Sequence, residues 1–209
     1  YGLSIADAFI GSAVCRNVLV IGGETLSRMT DYSDRNTCVL FGDGAGAVVM
    51  TPSDGQAGLL GTLMGSDGRY ADLLYVPGFG TKYPPSLESV KAGYQFIKME
   101  GREVFKQAVT AMGEAASRIL QQTGLNSDQV DLLIPHQANL RIIEATAKKI
   151  SIPLERVFIN LAKYGNTSAA SIPIALDEAR RMGRLSQGRV VVMVAFGGGL
   201  TWASAAVRF

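Results

Sequence analysis

The chain has 209 residues, of which 47% are hydrophobic and 18% charged, and its formal net charge at pH 7 is +2. This composition is typical of a packed globular α/β protein and excludes disordered and fibrous classes, while the small net charge argues against a nucleic-acid binder held by phosphate contacts. Because the sequence contains no membrane-length apolar run and no signal-peptide pattern, we expect a cytoplasmic protein that does not bind membranes.

The first part of the chain predicts a helix and three strands. Residues 1–10 follow a helical apolar pattern. The pattern is already under way at the first residue, which is typical of an interrupted helix. Residues 18–21 are an unbroken apolar run, which predicts a strand buried on both faces of a sheet. Residues 38–41 and 45–50 are two further predicted strands around a Gly-Asp-Gly turn.

The segment 55–95 is rich in glycine, proline and tyrosine and shows little periodicity. Long connections of this kind usually shape a binding site. We therefore predict a pocket-forming connection here.

The remainder of the chain alternates between helical and strand patterns. Helices are predicted at residues 101–122, 138–150 and, despite Pro173, 167–182; strands are predicted at 130–134, 158–160, 189–195 and 201–209. Such alternation predicts a layered α/β architecture with mixed sheets.

A faint internal repeat suggests two related halves. Residues 41–49 and 196–207 both show an aromatic residue, a glycine turn and a strand of small residues. On this interpretation, residues 1–99 hold the remainder of a shortened first half plus the pocket-forming connection, and residues 100–209 form the second half.

His136 is the only histidine, so any imidazole chemistry near neutral pH must use it. It follows the predicted strand 130–134, and strand ends are where α/β sheets present functional groups. A buried structural histidine is the alternative. Because the predicted fold places His136 at a strand end beside proline, glutamine and asparagine, we favour a functional role.

Two further features have both structural and functional interpretations. Asn166 sits where a glycine turn enters a helix of small residues, a position that also suits an ordinary helix N-cap. The run Gly197-Gly198-Gly199 could be a tight hairpin turn, or an oxyanion hole made of bare backbone N–H groups. Neither feature decides the function alone.

Together, these segments resemble one family of condensing enzymes over essentially the whole chain. Ile-Pro-His-Gln-Ala-Asn at 134–139, Tyr-Gly-Asn-Thr-Ser-Ala-Ala-Ser at 164–171 and Ala-Phe-Gly-Gly-Gly at 195–199 are similar, in this order, to the signature of β-ketoacyl-acyl carrier protein synthase III. Asp34-Arg35, Phe-Gly-Asp-Gly-Ala-Gly-Ala at 41–47 and the segment 99–105 agree with it.

The resemblance implies a thiolase-like layered αβαβα fold with mixed five-stranded sheets, its first half truncated. It also implies a decarboxylative Claisen condensation between an acyl-coenzyme A primer and malonyl-acyl carrier protein, which initiates fatty acid synthesis. The coenzyme A thioester and the carrier's phosphopantetheine are substrates, so no cofactor and no metal is expected. The expected partners are acyl carrier protein, acyl-coenzyme A and a second copy in a homodimer.

Roles for individual residues also come from the resemblance. His136 and Asn166 are implied as the catalytic pair, with the Gly198 backbone in the oxyanion hole. Coenzyme A or pantetheine contacts are implied for Arg35, Gly101, Asn139 and Phe196, and acyl carrier protein docking for Arg141, Lys148 and Lys149.

The nucleophilic cysteine of the family is expected about five residues before Tyr1, at the start of the helix that the chain enters. Cys15 is expected near the other end of that helix and Cys38 at the start of a buried strand, so neither matches. A helix N-terminus favours the reactive thiolate, and neither position has one.

The same residues distinguish this family from enzymes with related activities. Elongating ketoacyl synthases need two catalytic histidines, thiolases need a second cysteine near a glycine pair, and plant-type polyketide synthases usually end in Gly-Phe-Gly-Pro-Gly. The chain has none of these patterns. A non-catalytic decoy subunit and a starter-unit polyketide synthase remain as alternatives.

Overall fold

The computed structural model describes residues 1–53, 55 and 57–209; Gln56, in the predicted connection, lies outside the described residues. The helices and strands, in chain order, are α1 Gly2–Gly11, β1 Val18–Thr25, β2 Asp43–Met50, β3 Gly58–Ser66, β4 Leu74–Tyr75, α2 Leu87–Lys91, β5 Lys98–Met99, α3 Gly101–Thr123, β6 Leu132–Pro135, α4 Leu140–Lys149, α5 Leu161–Tyr164, α6 Ser171–Arg181, β7 Val190–Gly197 and β8 Thr201–Arg208.

The main sheet has four strands in the order β3-β8-β7-β6. β6 and β7 are parallel, whereas β8 runs antiparallel to both of its neighbours. One face packs on α3 and α4 around Met112, Ile143 and Val192, and the other packs on α6 around Ala175 and Met193. Because both faces of the sheet are covered, the sequences of β6 and β7 are unbroken apolar runs.

A separate two-stranded ribbon joins β1 and β2 in antiparallel register. Its inner face meets the start of α6 and the residues before it: a Cβ on Gly22 would come within 2.3 Å of the Ala169 carbonyl oxygen. On the outer face, Leu19 and Ile21 are 58% and 65% exposed. Within the described chain only the inner face of this strand is covered, and burial of its outer face stays a prediction.

Several predictions need correction. Residues 38–40 form a turn, in which the Cys38 N–H donates to the Asp34 carbonyl (3.0 Å), and Phe41 makes an isolated bridge with Asn166. Residues 158–160 form no strand. β3 lies within the segment predicted to be irregular. The described chain contains one four-stranded and two two-stranded sheets, and the five-stranded sheets expected of the whole fold stay a prediction.

The long predicted elements are confirmed within one to three residues, including α3, α4, β2, β7 and β8. α3 ends at Gly124, whose φ of 67° suits glycine. Pro173 lies in the first turn of α6, where its missing N–H leaves no helical hydrogen bond unmade.

The division at residues 99 and 100 stays a prediction, and β3 crosses it by pairing with β8. The short β4–β5 pairing joins the middle of the pocket-forming connection to the residues just before α3. Within the residues described, no helix is both long and apolar enough to cross a membrane.

Candidate active site

A cavity of about 650 Å³ opens at the carboxyl ends of β6 and β7. Since these strands are parallel, the residues that follow them meet at one edge of the sheet. His136 follows β6 and Gly198 follows β7, while Asn166 approaches from the turn before α6. All three line the cavity.

His136 is fixed on two sides. Its backbone N–H donates to the Val194 carbonyl (2.8 Å), and its side-chain Nδ1 lies 2.7 Å from the Ser171 hydroxyl. The residue is only 7% exposed, and burial lowers the pKa of the imidazole to about 4. His136 is therefore neutral at physiological pH.

Ser171 is placed to set the tautomer of His136. The Ser171 oxygen lies 2.7 Å from His136 Nδ1, and the Gln137 N–H points at the same oxygen from 3.5 Å. A hydroxyl can donate its one proton while it accepts another. When Ser171 donates to Nδ1, the neutral imidazole carries its proton on Nε2 and offers an N–H donor on the side away from Ser171.

Asn166 is held by hydrogen bonds of its backbone and of its side-chain amide oxygen. Its N–H donates to the Leu40 carbonyl and its carbonyl accepts from the Gly42 N–H, both at 2.9 Å. The side-chain Oδ1 accepts from the Ser168 N–H at 2.9 Å. Because Oδ1 is engaged, the Nδ2 donor is the end of the amide left for the cavity.

Gly198 lies in the three-residue connection between β7 and β8, so the glycine run does make a hairpin turn. A Cβ at this position would come within 3.0 Å of the Leu74 carbonyl oxygen. Only glycine fits without moving that backbone, and it leaves main-chain groups accessible at the cavity wall.

Three of the four residues predicted to bind coenzyme A or pantetheine line this cavity, namely Gly101, Asn139 and Phe196. Asn139 also caps α4, since its Oδ1 accepts from the Arg141 N–H at 2.9 Å. Arg35 is exposed and is not among the lining residues, although its neighbour Asn36 is.

The three predicted docking residues lie on α4 and are exposed. The Arg141 guanidinium sits 4.9 Å from the centre of the Phe105 ring, and Phe105 lines the cavity. This contact places Arg141 at the cavity rim. Lys148 follows seven residues later on the same face of the helix, whereas the stem of Lys149 packs near Gly113 of α3.

Three residues that hold the site were not predicted from the sequence. Ser171 fixes His136, Gln137 is buried beside it, and Glu178 accepts hydrogen bonds from the segment before Asn166. Ser171 ends the small-residue motif, and Gln137 follows the histidine directly. Their positions in those motifs were the available signal; Glu178 had none, because it lies in an ordinary helical pattern.

The two cysteines stand apart from the cavity. Neither Cys15 nor Cys38 is among the lining residues of the described chain. Cys15 follows the C-terminal end of α1, and Cys38 lies in a turn, so neither sits at a helix N-terminus.

Comparisons with known proteins find two matching parts of one family. Residues 1–68 match 3-oxoacyl-[acyl-carrier-protein (ACP)] synthase III, and residues 120–209 match the C-terminal part of the same synthase. The chain is 53% identical over all 209 residues to a β-ketoacyl-[acyl-carrier-protein] synthase III of Roseiflexus castenholzii and spans 63% of that relative's length.

Solved structures agree with the sequence matches. The synthase III from Aquifex aeolicus is 49% identical with a TM-score of 0.90, and the whole chain covers 63% of it. The priming β-ketosynthase of the R1128 polyketide pathway is 34% identical with a TM-score of 0.88; the match covers 99% of the chain and 61% of that structure. The chain therefore has the mixed α/β, thiolase-like fold of these proteins.

Proposed function

Because the chain belongs to the 3-oxoacyl-[acyl-carrier-protein] synthase III family, we propose that the full-length protein joins an acyl-coenzyme A primer to malonyl-acyl carrier protein. The product is β-ketoacyl-acyl carrier protein, formed with loss of carbon dioxide at the start of fatty acid synthesis. The observation that supports this reaction best is that a neutral imidazole, His136, and an amide, Asn166, line one cavity. We assign His136 Nε2 and Asn166 Nδ2 as the two donors.

The chemistry requires donors of this kind. When the malonyl group loses carbon dioxide, the electrons of the broken carbon–carbon bond move toward the thioester carbonyl, whose oxygen becomes negative. Two neutral N–H groups stabilise this enolate, and neither can protonate the carboxylate that must leave. The low pKa of His136 keeps it in the neutral form that this step needs.

The enolate carbon then attacks an acyl thioester on a cysteine. A carbon–carbon bond forms, the cysteine sulfur leaves as a thiolate, and the carbonyl oxygen carries negative charge in the intermediate. We assign the stabilisation of that oxygen to the Gly198 backbone N–H, together with the backbone N–H of the cysteine. The cysteine itself is proposed to precede Tyr1.

The remaining assignments follow from the same proposal. Gly101, Asn139 and Phe196 bind the pantetheine arm inside the cavity, and Arg35 binds the nucleotide end of coenzyme A outside it. Exposed cations on α4 receive the acidic acyl carrier protein, with Arg141 nearest the rim. The protein works in the cytoplasm as a homodimer, and its two halves are related.

A second candidate function is the priming step of a polyketide pathway. It is supported by the 34% identity to the R1128 priming β-ketosynthase, whereas a relative named β-ketoacyl-[acyl-carrier-protein] synthase III reaches 53%. A decoy subunit is less well supported, because it has no need for the ordered surroundings of His136 and Asn166. Turnover of a panel of acyl-coenzyme A primers separates these functions.

The test of the proposed function is the pair His136→Ala and Asn166→Ala in the full-length protein. Each removes one enolate donor, so each should slow the release of carbon dioxide from malonyl-acyl carrier protein by about 100-fold or more. Formation of the acyl-cysteine, followed by intact-mass spectrometry, should stay within about threefold of the parent because it does not use these donors.

Asn17→Ala is the matched control, since Asn17 is exposed and outside the cavity lining. It should leave both half-reactions unchanged. Decarboxylation at the parental rate in either cavity variant would remove that residue from the mechanism.

A further inference from the structure

Glu178, on the third turn of α6, gathers the polar groups of the segment that precedes Asn166. Its Oε2 accepts from Asn160 Nδ2 at 2.8 Å, and its Oε1 accepts from the Tyr164 hydroxyl at 2.7 Å and from Lys163 Nζ. These bonds, the one from Lys163 foremost, lower the pKa of the carboxyl to about 2. Glu178 is therefore an ionised acceptor at physiological pH, with its side chain only 19% exposed.

All three donors belong to one short stretch, α5 and its N-cap Asn160. This helix has four residues and buries none of them fully, so it has little packing of its own to hold it. It leads through Gly165, whose φ of 68° makes a sharp turn, directly into Asn166. A shift of α5 would therefore be passed on to Asn166.

The same stretch is also tied to the residue next to His136. The Asn160 N–H donates to Gln137 Oε1 at 3.0 Å, and Gln137 Nε2 donates to the carbonyls of Pro135 (2.8 Å) and Phe158 (3.1 Å). Gln137 is 2% exposed, so these bonds have little competition from water. A continuous set of hydrogen bonds thus runs from Glu178 through Asn160 to the end of β6.

One face of α6 contacts both His136 and the segment that leads into Asn166. Ser171, its first residue, bonds His136 Nδ1, and Glu178 follows seven residues later. Residues seven apart lie two turns along the same side of a helix. One rigid element therefore contacts the His136 side of the cavity at one end and the Asn166 segment at the other.

We propose that Glu178 is a positioning residue. Its carboxylate holds segment 160–166 in place and so keeps the position of the Asn166 amide relative to His136 fixed. It touches no reacting group; its effect runs through Asn160 and Tyr164. The kinetic part of this inference rests on the proposed function, since Asn166 acts there in decarboxylation alone.

Glu178→Gln in the full-length protein tests the inference with little change of shape. The amide keeps one acceptor oxygen but turns an NH₂ group toward a set of donors. Because small misplacements of a catalytic group cost up to about 100-fold, we expect kcat for malonyl decarboxylation to fall about 10-fold. KM for malonyl-acyl carrier protein and the rate of cysteine acylation should change less than about twofold.

Asp177→Asn is the matched control. It removes one charge from the neighbouring residue of the same helix, where the exposed Asp177 pairs with Arg181 at 2.8 Å. Both half-reactions should stay at the parental rate in this variant. The positioning role is overturned if Glu178→Gln keeps full decarboxylation, or if it slows acylation and decarboxylation equally, as a general loss of folded protein would.

Hydrogen–deuterium exchange separates a failure of this inference from a failure of the proposed function. In Glu178→Gln, amides of segment 160–166, including the Asn166 N–H bonded to Leu40, should exchange faster, while those of β7 should not. If the parent shows no decarboxylation, the proposed function fails and exchange alone decides the positioning role. Unchanged exchange in the segment overturns that role.

Discussion

Strands β1 and β7 begin with nearly the same kind of sequence but have different surroundings. β1 starts Val-Leu-Val-Ile and β7 starts Val-Val-Val-Met. In β7 the first five residues are all buried, whereas in β1 exposed and half-buried residues alternate. β7 has a strand on each side and helices on both faces, whereas among the described residues β1 pairs only with β2 and is covered on one face.

The difference teaches that an apolar run specifies a strand but not what will cover it. Burial of a strand depends on its neighbours, which come from distant parts of the chain. The candidate site joins the two environments. His136 and Gly198 stand on the buried sheet, and Asn166 is bonded to Leu40 and Gly42 beside the ribbon.

The largest expected effect comes from matched leucine truncations in the two regions. Leu133→Ala removes a side chain of β6 that is fully buried in the core and should lower the free energy of unfolding by about 3 kcal/mol. Leu19→Ala removes one that is 58% exposed on the ribbon and should cost less than about 1 kcal/mol.

Urea denaturation of the full-length protein and its two variants measures both changes. Equal losses of stability would break the comparison, because they would mean that the outer face of the ribbon is packed as well as the core.

A pair of glycines sharpens the comparison within the ribbon itself. Gly22→Ala places a Cβ 2.3 Å from the Ala169 carbonyl oxygen and should lower the free energy of unfolding by about 2 kcal/mol. Gly23→Ala, on the outer face, meets nothing within 4 Å and should be neutral or stabilising by about 0.5 kcal/mol.

Thermal unfolding of the two alanine variants reports the stability difference. In the full-length protein Gly22→Ala should also slow malonyl decarboxylation, since Ala169 lies three residues after Asn166. If the two variants are equally stable, the inner face is not closely packed.

The sequence predicted those parts of the fold in which local pattern and final burial agree. α3 has a long helical repeat and ends at a glycine, and β7 and β8 flank a glycine turn, so each was found. β3 was missed because its glycines interrupt any strand pattern; Gly61 is needed there because a Cβ would come within 2.9 Å of the Thr123 side chain. That requirement comes from the last residue of α3, about sixty residues further along the chain.

The candidate site follows the same rule. His136, Asn166 and Gly198 each stand in a distinctive local motif, and the structure places all three at one cavity. Ser171, Gln137 and Glu178 contribute only hydrogen bonds across the fold, and such partners cannot be seen in one sequence. The strand predicted at residues 38–41 failed because the Asp34 side chain and backbone bonds favour a turn.

The smallest effect is expected where neither packed region is disturbed. Arg141→Glu on the exposed face of α4 should raise KM for malonyl-acyl carrier protein about fivefold at low salt, and less as salt increases. KM for acyl-coenzyme A should change less than twofold. Steady-state kinetics with both substrates measures this, with Arg180→Glu, an exposed cation on α6, as the charge-matched control. Equal changes for both substrates would end the docking assignment.

The two contacts of α6 also fix the number of residues that can lie between Ser171 and Glu178. An α-helix turns by about 100° and advances about 1.5 Å with each residue, so one residue inserted between Ser171 and Glu178 would carry the carboxylate off the face it shares with the serine. The spacing of these two residues is therefore part of the geometry of the site. Homologous proteins that use the same two contacts should vary in length in their surface loops, such as the segment between β4 and α2, and not in this interval of α6.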